Sequence, residues 1–258
     1  MSVLDEHDHL VLDCDGVVYV GADAVPGAAA LVAAARARGL GLLFVTNDTT
    51  SSAAEVAARI GRCGIDTDEA EVLHAGRAAA LHLAHAGAER VLILGTAALA
   101  DEIGAAGVTA VRTRDAEACD GPWDALVVGQ DSELSMRDLK RLVQAWQPGM
   151  ELLAVNGDRN YPASDGLHVG CGAIAAAVAF AVDVEFVVAG EPSPILFAEA
   201  AERLGPGRTA MVGDTLASDV AGANAAGWTS VWLRRPGAAD DPAVVADLTV
   251  TDLRDLLG

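Results

Sequence analysis

Aspartates follow short apolar runs at two distant places in the sequence. Asp13 and Asp15 follow the first run, and Asp214 follows a later one, with Asp219 five residues further on. Carboxylate oxygens are hard ligands of the kind that Mg²⁺ prefers, and two carboxylates that approach each other repel unless a cation lies between them. If folding brings these side chains together, Asp13 and Asp214 are candidate ligands of one divalent cation.

The same residues suit the transfer of a phosphoryl group. Beside a bound cation, Asp13 is a candidate nucleophile, and Asp15, on the same face of an extended strand, is a candidate general acid and base. Thr46 ends another apolar run, and its hydroxyl and nearby backbone N–H groups can hold phosphoryl oxygens. Gly16 permits close backbone approach to the reacting group. A single Asp-x-Asp pair is also common where a strand ends in a turn, but three polar clusters in order favour a catalytic site.

Alternating strands and helices must position these clusters. Apolar runs predict strands at 9–12, 41–45, 90–94, 125–128, 152–155, 209–212 and 230–233. Ala-rich segments predict helices at 27–38, 52–62, 97–106, 135–146, 173–181, 195–204 and 218–226. Repeated β-α units indicate a parallel sheet with right-handed crossovers, and ligands bind beyond the carboxyl ends of its strands. The clusters at Asp13, Thr46 and Asp214 are therefore expected at one edge of an α/β sheet.

The acidic motifs divide the chain into an outer and a middle part. They lie in 1–74 and 184–258, whereas 75–183 reads as a separate series of β-α units. With 258 residues, 52% of them hydrophobic, the chain is large enough for one large domain or two small ones. We therefore predict a discontinuous core domain, 1–74 and 184–258, interrupted by an inserted domain, 75–183.

The net charge and the cysteines limit the classes of partner and the cellular compartment that we expect. The net charge is −20, which repels nucleic-acid phosphates and anionic membranes, so we predict neither as a partner. The four cysteines are far apart and form no Cys-x-x-Cys pair, which is typical of free thiols in a reducing cytosol. The acidic N-terminus lacks the apolar core of a signal peptide, and no apolar run reaches the ~20 residues of a membrane span. A cytoplasmic location is expected.

Two other groups of polar residues allow two interpretations each. His7 and His9 flank Asp8 and invite a metal-binding interpretation, but a solvated N-terminal segment is the simpler prediction. Asp158 and Arg159 lie in the segment after a predicted strand, where they either line a substrate pocket or belong to a solvated loop.

Five segments carry a resemblance to a known family. They are LDCDGVVYVG around Asp13, FVTNDTTSS around Thr46, NGDRNYPASDGLHVGCGAI from Asn156, GEPSP from Gly190, and MVGDTLASDVAGANAAGW from Met211. At these residues the sequence resembles the haloacid-dehalogenase superfamily of phosphohydrolases. It resembles more narrowly the type IIA cap group, which includes 4-nitrophenylphosphatase-like, pyridoxal phosphate, phosphoglycolate and glycerol phosphate phosphatases.

The resemblance implies a fold and an activity. The fold is a Rossmann-like parallel sheet core, 1–74 and 184–258, with an inserted α/β cap, 75–183, that covers the site and selects the substrate. The activity is Mg²⁺-dependent hydrolysis of a small phosphomonoester, so the partner is a small phosphorylated metabolite. Because relatives with this cap often pair through it, the resemblance also allows a homodimer through the cap.

The resemblance further implies roles for individual residues. Asp13 is the nucleophile and a metal ligand, and Asp15 is the acid and base and a metal ligand through its backbone carbonyl. Asp214 ligates Mg²⁺, Asp219 orients the site, and Thr46 and Asn47 bind the phosphate.

Glu191 departs from the family pattern. It stands where the family has a lysine that neutralises the nucleophile and the phosphate, and the only lysine of this chain is Lys140, in the predicted cap. A glutamate there adds repulsion where the family supplies compensation. Three outcomes are open: Arg159 or Arg234 replaces the charge, Glu191 turns outward in a weak enzyme, or the chain binds a phosphorylated ligand without hydrolysing it. Asp48, where the family usually has asparagine, adds one more negative charge.

Overall fold

A computed structural model describes residues 2–115, 121–163 and 166–258. The chain forms two compact units, one of Met1–Thr46, Ala53–Leu73 and Glu191–Gly258, the other of Asn47–Ser52 and His74–Gly190. Residues 47–52, 74 and 184–190 thus group with the second unit, whereas the sequence pattern assigns them to the core domain. The use of the second unit as a cap stays a prediction.

Strands and helices alternate through most of the described chain. The strands are β1 His9–Asp13, β2 Tyr19–Val20, β3 Asp23–Ala24, β4 Gly41–Thr46, β5 Val72–His74, β6 Arg90–Leu94, β7 Thr109–Arg112, β8 Ala125–Val128, β9 Glu151–Ala154, β10 Asn160–Ala163, β11 Gly166–Val169, β12 Val187–Val188, β13 Thr209–Gly213, β14 Thr229–Leu233 and β15 Leu248–Val250. The α-helices are α1 Val3–Glu6, α2 Ala28–Ala37, α3 Ala53–Arg62, α4 Ala75–His85, α5 Ala97–Ala105, α6 Met136–Ala145, α7 Cys171–Val182, α8 Pro194–Leu204 and α9 Ala221–Ala225.

The first unit is built on a six-stranded sheet. Its strand order is β15-β14-β13-β1-β4-β5, and β1 pairs in parallel with both β13 and β4. All five residues of β1 are buried, because a strand in the middle of a covered parallel sheet has no solvent face. Leu10, Leu12, Leu31, Phe44 and Val212 share one apolar core between this sheet and its helices. The predicted α/β fold with a Rossmann-like parallel sheet is confirmed.

The second unit has a parallel sheet of its own. Its order is β12-β9-β8-β6-β7, with every neighbouring pair parallel. The segment that the sequence pattern leaves as a loop after β9 instead contains the antiparallel hairpin of β10 and β11. None of the helices in the described part of the chain combines the length and the apolar character that a membrane crossing requires.

The start of the chain is folded, so the prediction of a solvated segment around His7 and His9 is wrong. Ser2 caps α1, and its hydroxyl donates to the carbonyl of Leu256 at 2.5 Å. The ring of His7 lies within hydrogen-bonding distance of the Val3 carbonyl, at 2.7 Å, and of the Thr229 hydroxyl, at 2.8 Å. His9 is the first residue of β1 and only 9% exposed.

The prediction that the cysteines are free thiols is confirmed for those in the described residues. Cys14, Cys63 and Cys171 are free thiols, and Cys119 lies outside the described residues.

Candidate functional site

Three neighbouring strands of the first unit end at the same edge of the sheet. Asp13 is the last residue of β1 and pairs with Val45 of β4, so Thr46 lies one residue beyond that level. On the other side of β1, Leu12 pairs with Val212, which puts Asp214 directly past the end of β13. The parallel register thus brings Asp13, Thr46 and Asp214 to one edge, because parallel strands share the direction in which they end.

The turn after β1 brings the backbone at Gly16 against Asp214. The N–H of Gly16 donates to the carbonyl of Tyr19 at 2.7 Å, and the N–H of Val18 donates to that of Cys14 at 2.9 Å. Gly16 has a φ of +91°, and a Cβ there would lie 2.0 Å from Oδ2 of Asp214. Glycine is therefore required twice, for its backbone angle and for the room that the Asp214 carboxylate takes up.

The carboxylates of Asp13, Asp214 and Asp219 come together at this edge. One oxygen of each lies within 4.8 Å of the others. Asp13 and Asp219 are buried, Asp214 is half-buried and Asp15 is exposed. Oxygen-only donors at this spacing match the coordination that Mg²⁺ or Ca²⁺ takes.

Asp219 is held in place by the segment that follows β13. The predicted helix at 218–226 is instead a π-helical turn, Leu216–Val220, that leads into α9. The N–H of Thr215 donates to Oδ2 of Asp219 at 2.8 Å, and the hydroxyl of Ser218 donates to Oδ1 at 2.6 Å. Gly213 leaves room for this packing, since a Cβ there would lie 2.0 Å from Cβ of Asp219.

The crowding of carboxylates perturbs their acidity. Burial raises the pKa of Asp13 well above its usual value, and the charges of Asp219, Glu191, Asp214 and Asp15 raise it further. Burial is also the largest cause of the raised pKa of Asp214 and of Asp219. In the absence of a cation the site therefore favours bound protons, and a divalent cation would favour the ionised carboxylates.

Glu191 points into this cluster. It is 4% exposed, its charge raises the pKa of Asp13, and it shares a hydrogen bond with Asp219. Such a bond requires a proton on one of the two carboxyls, because two ionised carboxylates have no donor. The alternative in which Glu191 turns outward is therefore wrong.

The basic residues near the cluster differ from those considered in the sequence. Arg234 is exposed, and its guanidinium donates to Oδ2 of Asp240 at 3.0 Å and lies 5.3 Å from the ring centroid of Trp232. Sequence reasoning missed Arg235. Burial raises the pKa of Asp214, and the positive charge of Arg235 acts in the opposite direction and lowers it. The signal for Arg235 was its place just after a predicted strand at the functional edge.

Three residues predicted to bind phosphate or substrate lie in the second unit. The amide of Asn156 donates to the backbone carbonyl of Asn47 at 3.0 Å, and its Oδ1 accepts from the N–H of Asp158 at 3.2 Å. The carbonyl of Arg159 accepts from the N–H of Gly170 at 3.0 Å, and the side chains of Asp158 and Arg159 are exposed. Their roles stay predictions.

The carboxylate of Asp48 accepts hydrogen bonds within its own loop. Its carboxylate accepts from the N–H and hydroxyl of Thr50, both at 2.8 Å, and from the N–H and hydroxyl of Ser51, at 3.1 and 2.7 Å. Burial alone would raise the pKa of Asp48, but these hydrogen bonds lower it below its usual value. Asp48 therefore orders the loop that follows Thr46.

Comparison with known proteins identifies the family. Residues 10–109 match the family model of haloacid dehalogenase-like hydrolases, and residues 188–256 match a second, HAD-hydrolase-like model. A glycerol-3-phosphate phosphatase of Homo sapiens is 34% identical over 244 residues, which cover 85% of this chain and 76% of the human protein. The chain belongs to the haloacid dehalogenase-like hydrolase family.

Mycobacterial relatives extend the comparison within this family. The D-glycerol 3-phosphate phosphatase of Mycobacterium tuberculosis is 39% identical over 233 residues, which cover 89% of this chain but only 64% of that enzyme. Two crystal structures of a glycerol phosphate phosphatase from the same organism, one with calcium and one with magnesium, match with a TM-score of 0.87 and 34% identity over 99% of this chain. The match covers 76% and 78% of those chains.

These relatives bear on the activity expected from the sequence. The resemblance to the haloacid-dehalogenase superfamily and its type IIA group is confirmed, as is the prediction of a phosphoric monoester hydrolase, because the relatives are phosphatases of this family. The magnesium complex of the mycobacterial protein agrees with the predicted cofactor.

Proposed function

We propose that this chain is a Mg²⁺-dependent phosphatase that hydrolyses a small phosphomonoester through an aspartyl-phosphate on Asp13. The observation that carries the proposal is the approach of the carboxylates of Asp13, Asp214 and Asp219 to within 4.8 Å at the edge where three parallel strands end. The names of the relatives, phosphatases of glycerol phosphate, support a small phosphorylated metabolite as the substrate.

The donor set suits a hard divalent cation. Asp13 and Asp214 would hold Mg²⁺ through their side chains and Asp15 through its backbone carbonyl, while Asp219 orients the site from the π-helical turn. A bound Mg²⁺ would supply positive charge that offsets the carboxylates and the phosphoryl group.

The chain's own residues account for the two chemical steps. A carboxylate oxygen of Asp13 forms a bond to phosphorus while the bond from phosphorus to the ester oxygen breaks, and Asp15 gives its proton to the departing oxygen. Asp15 then takes a proton from water, whose oxygen attacks the phosphorus of the aspartyl-phosphate and releases inorganic phosphate and free Asp13. The exposure of Asp15 supports this role, because an acid and base must meet both substrate and water.

The remaining predicted residues bind rather than react. Thr46 and Asn47 hold phosphoryl oxygens, and Gly16 keeps the backbone close beside the reacting group. Asp158 and Arg159 belong to the second unit, for which we propose the role of a type IIA cap that selects the substrate.

Hydrolysis of p-nitrophenyl phosphate tests the proposal. Asp13→Asn removes the nucleophile, so kcat is expected to fall by about a thousandfold or more, and EDTA should abolish the activity of the wild type. Acid quenching followed by peptide mass spectrometry should find a phosphoryl group on Asp13. Asp66→Asn, an exposed aspartate of the same unit, is the control and should retain activity. Equal activity of the two variants would refute the assignment of Asp13.

The buried Glu191 favours a second candidate function, a protein on the same scaffold that binds a phosphorylated ligand without hydrolysing it. Its carboxyl adds negative charge where the reaction needs compensation. This alternative predicts saturable binding of inorganic phosphate in the presence of Mg²⁺, with no turnover of a panel of phosphomonoesters.

A further inference from the structure

The site of the first unit is short of positive charge. Asp13, Asp15, Asp214, Asp219 and Glu191 all belong to this unit, which contains no lysine. A phosphomonoester brings further negative charge to the same edge, and a cation with two charges offsets only part of the total. A basic side chain at this edge would therefore act directly on substrate binding.

Arg235 is held at this edge by the strand next to the site. β14 pairs in parallel with β13, with Trp232 opposite Gly213, so the chain leaves β14 at the level where Asp214 leaves β13. The indole N–H of Trp232 donates to the backbone carbonyl of Asp214 at 3.0 Å and ties the two ends together. Arg235 follows two residues after the last residue of β14.

A tight turn fixes the backbone of Arg235. The N–H of Ala238 donates to the carbonyl of Arg235 at 3.1 Å, Pro236 occupies the second position of the turn, and Gly237 has a φ of +84° at the third. Proline then glycine is the pattern of a type II turn, and a residue before proline is restricted to extended conformations. The turn therefore restricts the backbone conformation of Arg235 beside the site.

The two adjacent arginines differ in what they contact. Arg234 is committed to Asp240 and to the ring of Trp232. Within the described ranges, no hydrogen bond or ion pair joins the guanidinium of Arg235 to another residue. Arg235 is half-buried and follows the strand end that lies beside Asp214, so its donors are available to a ligand at this edge of the sheet.

We infer that Arg235 binds an oxygen of the substrate's phosphoryl group and supplies the positive charge that Glu191 removes from the site. The inference rests on the proposed phosphatase function. A guanidinium is always charged and offers paired N–H donors that match the oxygens of a phosphate group. Arg235, which follows β14, thereby supplies the positive charge that a lysine at position 191, before α8, would supply.

Binding of inorganic phosphate in the presence of Mg²⁺, followed by calorimetry, tests the inference independently of turnover. Arg235→Gln should weaken phosphate binding about ten- to hundredfold, the range expected for loss of a charge-assisted hydrogen bond. Arg235→Lys keeps the charge and should keep more than half of the binding free energy that Arg235→Gln loses. Arg234→Gln removes the same charge one residue away and should change the affinity by no more than about twofold.

The outcomes separate the inference from the proposed function. Loss of phosphate binding in Arg235→Gln but not in Arg234→Gln supports the inference, even if the wild type hydrolyses no phosphomonoester, a result that would defeat the hydrolytic function alone. Unchanged binding in Arg235→Gln, an equal loss in both glutamine variants, or a wild type that binds no phosphate overturns it. Melting temperatures of all variants check that the fold is retained.

Discussion

At the scale of single residues, Glu191 decides how the acidic cluster is balanced. Its side chain is buried beside Asp13 and shares a hydrogen bond with Asp219, so the cluster holds a proton in the absence of a cation. A lysine at that position would instead form ion pairs with the same carboxylates. The difference between the two residues is two units of charge at the place where a phosphoryl group must bind.

Glu191→Lys should increase phosphatase activity. The introduced ammonium group would compensate the charge of Asp13 and of the transferred phosphoryl group, so kcat/KM is expected to rise by a factor on the order of a hundred. Steady-state kinetics with p-nitrophenyl phosphate and Mg²⁺ measures the effect.

Two controls separate local compensation from a change in net charge. Glu202→Lys makes the same change in charge at an exposed position of α8 and should leave kcat/KM within about twofold of the wild type. Glu191→Gln removes the carboxylate without adding a cation and should give a smaller increase than lysine. If Glu191→Lys is no more active than Glu202→Lys, the carboxylate of Glu191 does not limit the reaction through its charge.

At the scale of elements, the apolar runs predicted most of the sheet. Strands such as β1 and β8 are buried along their length, so burial on both faces leaves a continuous apolar run that can be recognised in the sequence. The short strands β2, β3, β5, β7, β10, β11, β12 and β15 were missed. Most residues of β11 and β15 are exposed and leave no apolar run, whereas the buried strand β5 is only three residues long. The end of each central strand was predicted well enough to bring Asp13, Thr46 and Asp214 to one edge.

Side-chain direction was the part of the site that sequence could not supply. The inward position of Glu191 and the availability of Arg235 depend on the segments before α8 and after β14, which have no periodicity to read. Burial of His9 was missed for a related reason, since a polar residue at the start of a chain is usually solvated. In this fold its ring is enclosed by glycines from two other segments.

The enclosure of His9 gives a prediction at the start of the sheet. His9 pairs with Gly41 of β4, and a Cβ at Gly41 would lie 2.6 Å from Nδ1 of the imidazole ring. Gly41→Ala should therefore lower the free energy of unfolding by about 1–3 kcal/mol, because the ring has to shift in a packed interior. Urea denaturation measures the change.

A double-mutant cycle identifies the cause. In a His9→Ala background the added methyl group meets no ring, so Gly41→Ala should lose most of its cost. Gly61→Ala, in α3 with open space around the new methyl group, is the matched control and should be neutral or stabilising by up to about 1 kcal/mol. An equal cost of Gly41→Ala with and without the histidine would rule out the contact as the reason.

At the scale of the whole molecule, a net charge of −20 and a buried acidic cluster make stability depend on cations and on pH. Burial and neighbouring carboxylates raise the pKa of Asp13 in the metal-free protein above its ordinary value of 3.8. A raised pKa means that the folded state binds this proton more tightly than the unfolded chain does. The resulting stabilisation is complete below the unfolded pKa and is lost as pH rises through the folded pKa.

Addition of Mg²⁺ should therefore stabilise the protein more at about pH 8 than at about pH 5, since ligation requires ionised carboxylates and competes with protons. At a hundredfold excess over its Kd, Mg²⁺ should raise the melting temperature by on the order of 5 °C at the higher pH. Asp214→Asn removes one ligand and should abolish most of this shift, whereas Asp66→Asn should preserve it. A shift of equal size in both variants would mean that Mg²⁺ stabilises the acidic surface as a whole, because only a cation held by the cluster depends on Asp214.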